Sequence, residues 1–460
     1  MSIIGGKVID SGGFGCVFSP ELKCHKNKSK TKKISKLMLK RYAYEEYNNI
    51  MKIKDLLKHI PKYSKYFVLD KVDLCKVSQL SSSDLSDYTK KCSALQKHNI
   101  TTKNINYSLD KIRILNLPNA GISIDTYLEN NLSVSKFVHV NQLLIELLHK
   151  AILPMNKLGV FHSDLKASNI LINETKTKTR IIDWGLSDIY KTHVFSEFPD
   201  AWKSRPLQFN LPIGNILISD MFMIKYTDFI NQNQYSIDND DRDDAMLLFL
   251  IRFVYEYIEY EGKGHLKYIT FILNVLDIIP VQEMPPQFML NNLQIHSKYD
   301  KYKQYHDTIF YIAMYLVNVL MKYTSIDKKG KVSIMNYVNQ HFQYDIDVWG
   351  FVISYLPVLE TIHSNQMLTN LHLVIFEKLQ NIFLDYLYTP STMERIDIPH
   401  LTQELTELSN EFIHTDLSEI EKTISKTKED NYESSDIDEE IKRKKSTRLG
   451  KRSRKSNLLR

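Results

Sequence analysis

The sequence predicts a two-lobed α+β chain, strand-rich over residues 1–117 and mostly helical over 118–400. Three observations carry this. Residues 3–40 alternate apolar and polar side chains around a glycine cluster, as strands joined by a tight turn do. Beyond about residue 240 the apolar positions recur every three to four residues up to about 400. Between these stretches lies FHSDLKASNILI (161–172), a polar run of acid, lysine and amide with apolar residues on both sides.

After the first strands, Tyr47, Ile50, Ile53, Leu56 and Leu57 recur at helical spacing between Tyr42 and His59. Tyr66–Val77 and Lys111–Leu117 read as strands. The Ser-, Asp- and Lys-rich stretch 78–105 between them reads as an inserted loop with one helical turn at most. A break at Pro118–Gly121 precedes a helix over roughly 139–158 that ends at Gly159. Two short strands follow, Ile170–Ile172 and Thr179–Ile182, joined by a polar turn. From residue 415 onward the chain is polar with separated charge blocks, so 401–460 is expected to be a largely disordered tail, acidic and then basic.

Of 460 residues, 43% are hydrophobic and 25% charged, ordinary values for a soluble chain. The longest apolar stretches, near 245–251 and 309–321, fall short of a membrane span, so no membrane partner is expected. Cys16, Cys24, Cys75 and Cys92 form no CxxC pair and are too sparse for a disulfide framework. They point to a reducing compartment. MSIIGGK lacks the regions of a signal peptide, which adds to the expectation of a soluble intracellular protein. The net charge of +6 hides its layout. Residues 441–460 carry ten Lys or Arg and no acid, while 401–440 carry thirteen acids against three Lys. The remaining mild excess does not by itself argue for nucleic-acid binding.

Phosphoryl transfer asks little covalent help of a protein. It needs metal-held phosphates, an in-line nucleophile and a group to orient or deprotonate it. In HSDLKASN, Asp164 can accept a hydroxyl proton, Asn169 five residues later can reach back to a metal ion, and Lys166 brings a cation to the moving phosphate. The bland alternative is a polar loop that matches by chance. In IIDWGL (181–186), Asp183 emerges from an apolar strand, well placed to hold Mg²⁺, or is simply a turn acid. In VIDSGGFGCVF (8–18), Gly12, Gly13, Gly15 and Val17 follow Ile9, and glycines let backbone N–H groups close over phosphates. A plain hairpin is the alternative. Lys36, on the strand-like ISKL, could grip phosphates, although it sits among many lysines. Glu46 shares the Ile50 and Ile53 face and could pair with it; Glu45 is the runner-up.

The joint order of glycine loop, Lys, helix Glu, long helix, H-x-D-L-K-x-x-N and D-W-G resembles the eukaryotic-type Ser/Thr protein kinase family over roughly residues 5–225. More narrowly, GGKVIDSGGFGCVF and RPLQFNLP resemble kinase-like proteins of giant nucleocytoplasmic DNA viruses, mimivirus-like ones among them. The resemblance implies a bilobal kinase-like fold, with an antiparallel-sheet N-lobe bearing one main helix and a large helical C-lobe. It places ATP in the cleft over Ile9, Gly12, Gly13, Gly15, Val17 and Lys36, and a hinge near Leu115–Leu117. It also implies Mg²⁺ on Asn169 and Asp183, Asp164 as base, and a Ser/Thr protein substrate favoured by Lys166.

Three departures stand out. Asp10 replaces the first glycine of the loop. Ser163 replaces an Arg that in many such enzymes meets a phosphorylated loop, so activity without phosphorylation of 186–205 is expected. No A-P-E is present, and RPLQFNLP (205–212) stands in its place. The acid run 238–244 is a candidate source for an Asp supporting the catalytic loop, with the residue left open. These departures motivate one rival, a pseudokinase scaffold; a second, a small-molecule phosphotransferase of related fold, is opposed by Lys166 and D-W-G. The basic stretch 442–455 reads as a nuclear-import signal or nucleic-acid arm, or else as a self-neutralising tail. Host cytoplasm is the expected location, with nucleus or virion as alternatives for a viral chain.

Overall fold

The computed structural model describes residues 6–25, 33–129, 132–173, 175–191, 198–232, 242–278, 297–328, 331–364, 370–389 and 394–413. The chain divides into two compact units, Met1–Thr406 and Glu407–Arg460. The first contains an antiparallel five-stranded sheet followed by a mostly helical region, an α+β arrangement.

The sheet runs in the order β1 (Lys7–Ser11), β2 (Gly15–Ser19), β3 (Lys33–Leu39), β5 (Ile112–Pro118), β4 (Asp73–Cys75). Its register decides which residues share a face. Val17 lies opposite Lys36, and Lys36 opposite Leu115, so all three side chains project the same way. Leu117, two residues beyond Leu115, joins them. The alternate residues Cys16, Phe18, Leu37, Ile112 and Ile114 point to the other face, where they are buried together with Val8.

That second face is covered by the segment expected to be a loop. It holds two short helices, α3 (Tyr88–Lys91) and α4 (Ser93–Gln96), and buries Leu80, Tyr88, Leu95, Ile100 and Ile105 against the sheet. Each such side chain contributes about 1.5–3 kcal/mol relative to exposure. A handful of well-spaced apolar residues therefore outweighs the polar composition that made the stretch read as a loop.

The cysteine expectation is also corrected. Cys16 is bonded to Cys92 and Cys24 to Cys75, with Cα separations of 5.3 and 5.8 Å. Strand alternation turns Cys16 toward the covering segment, which supplies Cys92, 76 positions on, and Cys75 on β4 reaches Cys24 across 51 positions. The pairing removes the argument for a reducing compartment that sparse cysteines had supplied.

Helix α1 (Lys40–Leu57) follows β3 directly and buries Ala43, Glu46, Ile50, Ile53 and Leu57 on one face. The strand expected over Tyr66–Val77 shrinks to Asp73–Cys75. Tyr63–Tyr66 (α2) is helical, and Lys71 takes a left-handed φ of 57°, which breaks the extended run. The long central helix begins earlier than expected, at Val134, where the Ser133 hydroxyl accepts from Lys136 N. It passes through a π turn, Leu148–Ile152, into Leu153–Lys157.

Later helices include Arg242–Glu261, Leu266–Val275, His306–Tyr323, Gln343–Ile353 and Asn370–Phe383. The last, Ile398–Ile413, carries regular structure past residue 401, where the tail was expected to start. Residues 414–460, with the basic stretch 442–455, lie outside the described residues. Among the described residues no helix is long and apolar enough to cross a membrane.

Candidate active site

A hairpin assembles the polar core. Ile170–Ile172 pairs antiparallel with Thr179–Ile181, Ile170 opposite Ile181, and Ile182 N donates to Asn169 O at 3.0 Å. The ladder thus brings Asn169 and Asp183, fourteen positions apart, to the same end of two neighbouring strands. Asn169 Nδ2 donates to Asp164 O (2.8 Å) and Asp164 Oδ2 (3.0 Å). The amide oxygen therefore faces away from this bond, and Asp183 adopts φ 61° as it leaves the strand.

Lys36 bridges the sheet to this hairpin. Its Nζ lies 2.9 Å from both Glu46 oxygens and 2.8 Å from Asp183 Oδ1. Glu46 is the partner; Glu45 is exposed on the opposite side of α1. Burial disfavours the Lys36 charge, yet the Asp183 and Glu46 carboxylates outweigh it and lift its pKa above the usual lysine value. Burial alone would raise Asp183, but Lys36, with His162 and Lys166 behind it, holds it below the usual carboxylate range. Burial pushes Glu46 up, opposed by Lys36. One ammonium thus serves two carboxylates. The excess negative charge, with Asp183 engaged through Oδ1 alone and the Asn169 amide oxygen turned outward, is a set of hard oxygen donors suited to Mg²⁺.

Helix α1 is fastened at its far side as well. Asn49 Nδ2 donates to Trp184 O (3.1 Å) and Ser187 O (2.7 Å). Trp184 is fully buried, edge-on to Phe67 at 5.7 Å and to His162 at 5.0 Å. Trp184 therefore fills a packed slot between Phe67, at the end of α2, and His162.

Asp164 is held from three directions. Lys166 Nζ (3.1 Å) and Asn169 come from its own loop. Asn210 Nδ2 donates to Asp164 Oδ1 (2.8 Å) and Leu165 O (3.2 Å), and the Arg205 guanidinium stands 3.7 Å from Oδ1. Arg205 also donates to Ser163 O and to Gln208 Oε1. RPLQFNLP thus fastens the loop that carries Ser163, Asp164 and Leu165. Neither Arg205 nor Asn210 was singled out from sequence; the signal was three polar residues, Arg205, Gln208 and Asn210, set among apolar residues and two prolines.

Ser163 is fully buried in a left-handed conformation, φ 58°. Its hydroxyl accepts from Trp202 Nε1 at 3.1 Å. Beneath it lies Asp347, on helix Gln343–Ile353. Its Oδ1 accepts from Ser163 N and its Oδ2 from His162 N, both at 2.8 Å, and Asn156 Nδ2 donates to Oδ2 at 2.6 Å. The supporting acid is therefore Asp347. Of the run 238–244, residues 238–241 lie outside the described residues, and Asp244 is exposed. Burial pushes Asp347 up, while His162 and the two backbone donors pull it down. Three residues on, Gly350 meets the same loop. A Cβ there would stand 2.6 Å from Leu165 O.

Above the site, Gly12 N donates to Gly15 O at 3.0 Å, closing the glycine turn. At Gly12 and Gly13 no protein atom lies within 4 Å of where a Cβ would stand, so packing does not demand glycine there. A Cβ on Gly15 would stand 2.6 Å from Met38 Cγ. Asp10, in place of the first glycine, accepts from Ser11 N at 2.7 Å. Ile9 is 51% exposed, an apolar side chain without a protein cover. Leu115 is fully buried within β5, which runs on past Leu117 to Pro118. The connector is Asn119–Gly121, ending at φ +122° on Gly121.

No family model matches this chain, and no curated protein sequence matches it.

Proposed function

We propose that the chain is a bilobal, Mg·ATP-dependent Ser/Thr protein kinase. The single observation that carries this is Lys36 bridging Glu46 and Asp183, beside an Asp164 oriented by Asn169, Lys166 and Asn210. A structural salt bridge needs only one acid per lysine. The doubled acid and the outward amide oxygen make sense when a divalent cation and a polyphosphate complete the charge balance.

In this reading Asp164 accepts the proton of an acceptor hydroxyl as its oxygen attacks the γ-phosphorus. The bond to the β–γ bridging oxygen breaks, and ADP leaves. Lys36 holds the α- and β-phosphates, and Lys166 sits beside the transferring group. Asn169 and Asp183 would hold Mg²⁺, which neutralises charge developing on the phosphate oxygens. Val17, Leu115 and Leu117 share the Lys36 face of the sheet and, with Ile9, supply apolar cover for a base. Because Ser163 is committed to Trp202 and Arg205 to the catalytic loop, loop order requires no phosphate, and phosphatase treatment should leave activity intact.

The deciding test is transfer of label from ATP, with Mg²⁺, to a generic protein acceptor by wild type and by Asp164→Asn. Transfer to protein by wild type and its loss in the variant supports the reading. Nucleotide binding without transfer would make the chain a scaffold, and label on small molecules alone would make it a small-molecule phosphotransferase.

A further inference from the structure

The glycine turn is fastened at both flanks to one place. On the β1 side, Ser11 Oγ accepts from Ala94 N and lies 3.3 Å from Ser93 Oγ. On the β2 side, Cys16, adjacent to Gly15, is bonded to Cys92. Both ties end on the corner between α3 and α4. That corner belongs to a firm body. Asn106 exchanges two hydrogen bonds of 2.9 Å with the Leu80 backbone, Tyr88 OH donates to Ile100 O at 2.8 Å, and the apolar residues between are buried on the sheet. Two long hydrogen bonds and one covalent bond therefore hold the turn to it. The covalent bond is the part that chemistry can switch.

We propose that Cys16–Cys92 is a thiol–disulfide exchange site at which a dithiol reductant sets how firmly the glycine turn closes over nucleotide. A thiolate of the reductant attacks one sulfur, forms a mixed disulfide and expels the other cysteine as thiolate, which takes up a proton. The reductant's second thiol then resolves the mixed disulfide, freeing the second cysteine and leaving the reductant oxidised. Two electrons and two protons pass to the protein. Once cut, the turn keeps the Ser11 contacts, the Gly12–Gly15 hydrogen bond and the Phe14–Tyr42 ring contact, and a turn so loosened binds phosphate less well because ordering it costs conformational entropy. Both cysteines are fully buried, so attack awaits opening of the corner. Cys24–Cys75, half-buried between the β2–β3 connection and β4, reacts first and serves as an internal control. By reciprocity, bound nucleotide shifts the Cys16–Cys92 equilibrium toward the disulfide and leaves that of Cys24–Cys75 unaffected.

The nucleotide arm rests on the proposed kinase reading; the fastening of the turn does not, and the experiment separates them. The full chain, oxidised or treated with dithiothreitol, is followed by hydrogen exchange over residues 10–18 without ligand and by calorimetry with Mg·ADP. Reduction is expected to speed exchange across the turn and weaken Mg·ADP about tenfold. Cys92→Ser should mimic reduction and abolish the response, while a Cys24→Ser/Cys75→Ser variant should keep it. Should Cys92→Ser not fold, reducing that double variant isolates the same bond. Equal exchange in both redox states, a response that follows Cys24–Cys75, or free thiols at 16 and 92 in oxidised protein would overturn the proposal. Faster exchange on reduction with no Mg·ADP binding in either state would uphold the fastened turn and sink the kinase reading instead.

Discussion

The glycine turn and the loop 162–169 are held in opposite ways. The loop has no slack. Ser163 is buried with its N–H, carbonyl and hydroxyl all engaged, and Asp347, Arg205, Asn210 and Trp202 come from two distant stretches of chain to engage the loop. The turn is tied at its flanks and by Phe14, whose ring meets that of Tyr42 at 5.2 Å, while Gly12 and Gly13 have open space where a Cβ would stand. A base must be aimed to within a fraction of an ångström, whereas a phosphate cover must open and close. The packing follows that division.

The largest effect is expected at the base of the loop. Asp347→Ala strands two backbone donors and Asn156 in a buried space, costing about 3–5 kcal/mol in urea unfolding and abolishing transfer. A milder loss would mean that the loop holds its shape unaided. Next, Asn210→Ala removes one donor from Asp164 and should lower kcat about 10- to 100-fold with the KM for ATP unchanged. A rise in KM alone would put Asn210 on the substrate side.

The turn should respond in the reverse sense. Gly12→Ala and Gly13→Ala should shift stability by less than about 0.5 kcal/mol while weakening Mg·ADP several-fold in calorimetry. Gly15→Ala, whose Cβ collides with Met38 and the Leu37 carbonyl, should cost about 1–3 kcal/mol in thermal unfolding. Equal behaviour at all three glycines would erase the contrast between tip and flank.

The smallest effect concerns pH. The Lys36 pKa is raised, so its stabilisation is complete below the unfolded value of about 10.4 and is lost only as pH rises through the higher folded value. Mg·ADP affinity should therefore stay flat between about pH 7.5 and 9.5; a fall in that window would mean the carboxylates do not outweigh burial at Lys36.

Much of the site was legible because its parts are local patterns. Glu46 was separable from Glu45 by its distance of four and seven residues from Ile50 and Ile53, a helical face that the structure buries. Lys36, Asp164, Asn169 and Asp183 were fixed by spacing along short strands and one loop. What stayed hidden acts across long distances. Asp347 lies 184 residues beyond Ser163. The crowded acids at 238–244 drew attention by density, although density marks solvated charge. A lone acid inside the apolar run IDVWGFV was the better sign, since a buried carboxylate needs waiting donors. The two disulfides escaped because tertiary packing of the covering segment and of β4, not spacing, brings their cysteines together. The covering segment escaped because its polar majority masked the few residues that pack.

The most direct measurement is a crystal structure of the chain with Mg²⁺ and a non-hydrolysable ATP analogue. The account requires the metal on Asn169 and Asp183, the α- and β-phosphates against Lys36, and the γ-phosphate beneath the glycine turn facing Asp164. Nucleotide bound elsewhere, or a site where Lys36 keeps both acids and excludes the phosphates, would contradict it.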